Sequence, residues 1–87
     1  MTEEQAKEVV RHLKEGKFYR NETGRTYMGD YYLTVVSFRD NSFYIKLYSC
    51  HDDAGEFLAT SSERSEKEII KYFQIGDYER TMACLKA

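Results

Sequence analysis

The chain is predicted to adopt an α+β fold, on three observations. Apolar residues recur at i, i+3, i+4 and i+7 near the N-terminus, alternate singly from Tyr31 to Ser49, and return to helical spacing after Ser61. The strand-forming runs follow one another without intervening helical segments, which predicts an antiparallel sheet and no crossover connections. No repeat, linker or low-complexity tract interrupts the chain. The expected order is an N-terminal helix, a three- to four-stranded antiparallel meander, a C-terminal helix and a short terminal helix, in a single domain over residues 1–87.

The first helix is read over about residues 3–15. Thr2 and Gln5 have capping-box spacing, and Glu3 and Glu4 suit the positive end of the helix dipole. Ala6, Val9, Val10 and Leu13 form one apolar stripe, and Gly16 supplies a left-handed stop. Phe18 and Tyr19 open a short strand, with a turn expected at Asn21–Gly24. Arg25–Met28 reads as a second short strand or a loop, and Gly29-Asp30 as a break.

The hairpin "YYLTVVSFRDNSFYIKLYS" (Tyr31–Ser49) is the most informative stretch. A two-residue loop at Asp40-Asn41 pairs Phe38 with Phe43, Val36 with Ile45 and Thr34 with Leu47. A four-residue loop keeps the same residues on one face. An odd loop would mix the faces, so the pattern selects an even one. Val36, Phe38, Phe43, Ile45 and Leu47 are then the core face. Tyr31, Leu33, Val35, Ser37, Tyr44, Lys46 and Tyr48 share the other face. "HDDAG" (His51–Gly55) makes a second turn and "EFLAT" a short last strand. Ser62 is expected to cap the next helix, whose stripe is Ile69, Ile70 and Phe73, with Gly76 ending it. "DYERTMACLKA" reads as a short helix capped by Asp77, with a terminal strand as the alternative.

Composition narrows function mainly by exclusion. Hydrophobic residues make up 41% and charged residues 32% of the chain, a globular mix. Net charge is −2, and no region is strongly basic, so the footprint of a nucleic-acid binder is missing. Only two cysteines are present, too few for a disulfide scaffold. Residues 2–15 are charged throughout, unlike a secretory signal, and no apolar run approaches the roughly 18–20 residues of a membrane span. These features predict a soluble cytoplasmic protein with no membrane association.

No chemistry-bearing motif stands out. Cys50, His51, Asp52 and Asp53 offer four potential ligands in a row, but adjacent residues of a strand or turn point apart, so no metal is expected. Cys50 and His51 are sequence neighbours that a strand would put on opposite faces, and no nucleophile elbow, zincin helix or phosphate-binding glycine loop is present, so a non-enzymatic protein without cofactors is expected.

Two helices can cover one sheet face but hardly both. The second face is therefore expected to rely on tyrosines, which tolerate partial exposure because the hydroxyl stays wet. Tyr is also a frequent interface anchor. The predicted partner-binding residues are Tyr31, Tyr44, Lys46 and Tyr48 on that face, with the adjacent acidic residues Asp52, Asp53 and Glu56. The partner class is another protein, with homodimerisation through the same face as a subsidiary expectation. The rival reading is a small nucleic-acid-binding or regulatory domain that stacks bases on the aromatic face.

"LKEGKFYR" leading from helix to strand, "VVSFRDNSFYI" as the hairpin and "SERSEKEIIKYF" as the following helix carry one resemblance. In architecture the chain resembles the small single-domain anti-CRISPR inhibitors of phages and mobile elements, over most of its length. That resemblance implies an inhibitor that binds and blocks a host protein complex. The near-neutral charge departs from the strongly acidic members that mimic DNA, and so implies steric blocking. No site residue carries over.

Overall fold

The computed structural model describes residues 1–51 and 53–87, and the predicted site residue Asp52 lies outside them. Among the described residues the order is α1 (Glu3–Lys14), β1 (Phe18–Thr23), β2 (Tyr31–Arg39), β3 (Ser42–His51), β4 (Gly55–Arg64), α2 (Glu66–Gln74), α3 (Tyr78–Ala83) and β5 (Leu85–Lys86). The strands form one open antiparallel sheet in the order β4-β3-β2-β1-β5. The α+β class and the meander are as the sequence predicts, with β5 added at one edge.

The helix starts follow from local chemistry. Thr2 accepts from the Gln5 amide while the Gln5 side chain accepts from the Thr2 amide, closing the predicted capping box. The second helix starts later than expected. Ser62 pairs with Ile45 inside the ladder, and β4 continues to Arg64. The cap is Ser65, because Glu68 stands three residues on and returns a bond to the Ser65 amide. The expected short strand "EFLAT" is thus a ten-residue strand.

The β2–β3 register is that of the two-residue loop. Phe38 opposes Phe43, Val36 opposes Ile45, and Thr34 opposes Leu47. Asp40 and Asn41 both take positive φ, 52° and 63°, as a tight type I′ turn requires. β1 runs straight through the turn expected at Asn21–Gly24, because its residues to Thr23 find partners on β2. Residues 78–83 form the short helix and 85–86 the terminal strand, so both readings of the C-terminal segment are realised in succession.

The helix-side core joins Ala6, Val9, Val10 and Leu13 of α1 to Val36 and Phe43 of the sheet and Ile69 and Phe73 of α2. Tyr19 packs edge-on against Phe73, with ring centroids 5.2 Å apart. Helix length limits this coverage. Twelve residues of α1 span about 18 Å, whereas the ten-residue strands span about 33 Å. The helices sit over the hairpin end, and the opposite end of the sheet lies beyond their reach.

Candidate functional site

The predicted tyrosine face is one face. Leu33 opposes Tyr48, Tyr31 opposes Cys50, Val35 opposes Lys46, and Ser37 opposes Tyr44. Tyr31, Tyr44, Lys46 and Tyr48 are each half-buried, while Asp53 and Glu56 are exposed. Beneath the tyrosines this face has a small interior of its own. Leu33 and Cys50 are each 2% exposed, although neither belongs to the helix-side core.

Charged side chains cover that second interior. Arg20 bridges Glu22 at 2.9 Å and Glu56 at 3.5 Å, Arg25 bridges Glu22 at 2.9 Å, and the Arg25 guanidinium lies 4.5 Å from the centre of the Tyr31 ring. Bonds from Arg25 and Arg20 hold the Glu22 carboxyl below its ordinary range. Desolvation and the neighbouring Cys50 thiol push the Tyr31 hydroxyl upward. At the hairpin end Arg39 lies over Tyr44, 5.6 Å from the ring centre.

The uncovered end of the helix-side face is more open. Tyr32 is 62% exposed, Leu47 41% and Phe57 52%, and the register puts all three on that face, with Ser49 between Tyr32 and Phe57. Leu47 was expected in the core. It points to the core side of the sheet but is 41% exposed and lies outside the core that the helices cover. His51 tilts toward Phe57 at 6.0 Å, touches Ser49 at 3.2 Å and lies 3.4 Å from Asp30. Tyr27 and Met28, exposed in the β1–β2 loop, belong to the same end.

Charge at this end is net acidic. Among the described residues Glu22, Asp30, Asp53 and Glu56 stand at this end against Arg20 and Arg25, a net of −2 by four acids and two bases.

No family model, curated protein or solved structure matches the chain.

Other concavities carry little chemistry. An open cleft of ≈ 640 Å³ at the hairpin end is lined by Lys14, Phe38, Phe43, Glu63, Arg64 and Glu66, and its Lys14 and Glu66 are bridged to each other. Among the described residues no three His, Cys, Asp or Glu side chains are grouped to hold a metal ion. Cys50 and Cys84 are both free thiols. Among the described residues no helix is long and apolar enough to cross a membrane.

Sequence reasoning identified the tyrosine face by its period but missed the bare end. Tyr32, Leu47 and Phe57 look like ordinary core residues in a strand pattern. Only the mismatch in length between α1 and the strands could have marked them.

Proposed function

We propose that this chain is a non-enzymatic protein-interaction domain, a small inhibitor of the anti-CRISPR type that binds another protein and blocks it sterically. The reading rests on one observation. Three large apolar side chains, Tyr32, Leu47 and Phe57, stand exposed together on a sheet face, at an end where the described charges sum to −2. Exposed apolar groups with a polar rim suit a protein partner. The acidic rim favours a partner whose apolar contact is ringed by Lys and Arg, and it opposes nucleic-acid phosphates. Tyr31, Tyr44, Lys46 and Tyr48 on the reverse face stiffen the sheet and extend the contact to its outer side.

Affinity capture with mass spectrometry in the native host tests the proposal, comparing the wild type with Tyr32→Asp and Leu47→Asp. Both positions are exposed, so the variants should fold. The expected result is one protein retained by the wild type and lost by both variants. Equal retention by the variants, or a shift of single-stranded nucleic acid in a low-salt gel, would overturn it.

A further inference from the structure

The two edges of the sheet are treated differently. One is β5, two residues long. The other is β4, ten residues long, and every residue in it is exposed except the half-buried Ser62. A long free edge presents unpaired backbone donors and acceptors, and proteins usually protect such strands with lysine, proline, inward-pointing charge or a bulge. From Phe57 to Ser62 the sequence "FLATSS" has no lysine, proline or charge, and its one such device is a bulge at Ala59. The strand also exposes apolar side chains on both faces. Phe57, opposite Ser49, lies on the helix side, and Leu58, opposite Tyr48, lies on the outer side at 54% exposure. A partner lying on one face would cover only one of them. A strand added at the edge flanks both.

We infer that the occupant of this edge is a second copy of the chain, with β4 pairing antiparallel to its two-fold mate. The bulge makes the pairing self-complementary. Opposed residues of an antiparallel pair share a face, so identical regular strands can meet only in registers that pair residues an even number apart. Here Ala59 is an extra residue between Leu58, which opposes Tyr48, and Thr60, which opposes Leu47. The faces therefore switch parity at Ala59. A two-fold between Ala59 and Thr60 sets Phe57 against the partner's Ser62 on the helix side, and Leu58 against the partner's Ser61 on the outer side. No charge enters the centre of this interface. Among the described residues the one like-charge meeting in this register is Glu56 with the partner's Glu63, at each end, and Arg20 already sits on Glu56 at 3.5 Å.

Surface area agrees with a missing neighbour. A 10.3 kDa monomer normally exposes about 5,400 Å², and this chain exposes 5777 Å². The excess is roughly half of the ~800 Å² that each partner contributes to a standard interface. Pairing would also set the two Tyr32–Leu47–Phe57 patches side by side, so the contact surface of the proposed function becomes twofold; in this respect the inference builds on that reading.

Sedimentation equilibrium of the full chain up to the millimolar range provides the test. The expected result is a monomer–dimer equilibrium, lost in Leu58→Lys and in Ser61→Lys, and unchanged in Ile75→Lys, an exposed position away from the sheet edge. Glu63→Lys replaces both end contacts with opposite charges and should tighten the dimer several-fold. Native-state hydrogen exchange should show β4 amides gaining protection with concentration. A strict monomer, a dimer that survives both lysines on β4, or a Glu63→Lys variant that weakens it overturns the inference. The proposed function fails separately, through Tyr32→Asp and Leu47→Asp, which lie outside β4.

Discussion

Arg20 of β1 contacts Glu56 of β4 across two intervening strands, guanidinium to carboxylate at 3.5 Å. On a flat sheet their backbones would lie three strand spacings apart, about 14 Å, and about 13 Å out of step along the strands. Side chains alone do not bridge that diagonal. The sheet twists so that its opposite corners approach on the outer face, and Leu33 and Cys50 are enclosed beneath them. The protein therefore has two interiors, one under the helices and one under an ion-pair cover.

The second interior should contribute to stability in its own right. Leu33→Ala should cost about 2–4 kcal/mol, in the range expected for Leu13→Ala in the helix-side core. Urea unfolding of both variants measures this. A Leu33→Ala cost below about 1 kcal/mol would mean that the outer face is open and the tyrosines lie loosely on it. Glu56→Ala should cost far less, because exposed ion pairs contribute about 0–1 kcal/mol.

The same enclosure separates the two thiols. Cys50 is buried on the outer face, whereas Cys84 is half-exposed and 3.6 Å from the Asn21 side-chain oxygen. Reaction with an aromatic disulfide reagent should be fast at one thiol and limited by unfolding at the other. Cys84→Ser should remove the fast phase and leave the slow one. Two equally fast thiols would contradict the burial of Cys50.

Tyr19 gives an alkaline signature. Burial against Phe73, reinforced by Tyr72 and Cys84, pushes its hydroxyl up from 10.0 to about 12. Since the folded value lies above the unfolded one, the stabilisation is whole below pH 10 and is lost as the pH rises toward 12. Ultraviolet titration should show Tyr19 ionising late, beside Tyr31, Tyr72 and Tyr78, whose hydroxyls are also shifted upward. Tyr19→Phe should remove one tyrosine from that late amplitude and reduce the alkaline loss of stability.

Much of this architecture was legible in the residues. The period of two from Tyr31 to Ser49 restricts the hairpin to an even loop and assigns Tyr31, Tyr44 and Tyr48 to one face, while the choice between two and four loop residues comes from the structure. The stripe of Ala6, Val9, Val10 and Leu13 fixes the buried side of α1. The start of α2 lies at Ser65 and not at the expected Ser62 because both are capping residues and only Ser65 has its Glu68 partner three residues on. Coverage was not legible. Whether Leu47 is core or surface depends on how far α1 extends over the sheet, and whether Leu33 is buried depends on the twist that joins Arg20 to Glu56. Both are properties of the assembled layers and leave no mark on local spacing.

The Ser65–Glu68 box can be tested by pH. Its bonds to Ser65 hold the Glu68 carboxyl below the ordinary value of 4.5, with Arg64 adding to the effect at 3.5 Å. A depressed folded pKa contributes stability above the unfolded value, and the contribution disappears as the pH falls through the folded one. Ser65→Ala removes the cap and should cost about 1 kcal/mol at neutral pH. Glu68→Gln keeps a carbonyl acceptor for the Ser65 amide and removes only the charge. Its stability should fall below wild type at neutral pH and converge with it in acid, once the wild-type carboxyl is protonated. Urea titrations of both proteins across the acid range measure the difference. A gap that stays constant with pH would show that the charge contributes nothing and that the cap acts through geometry alone.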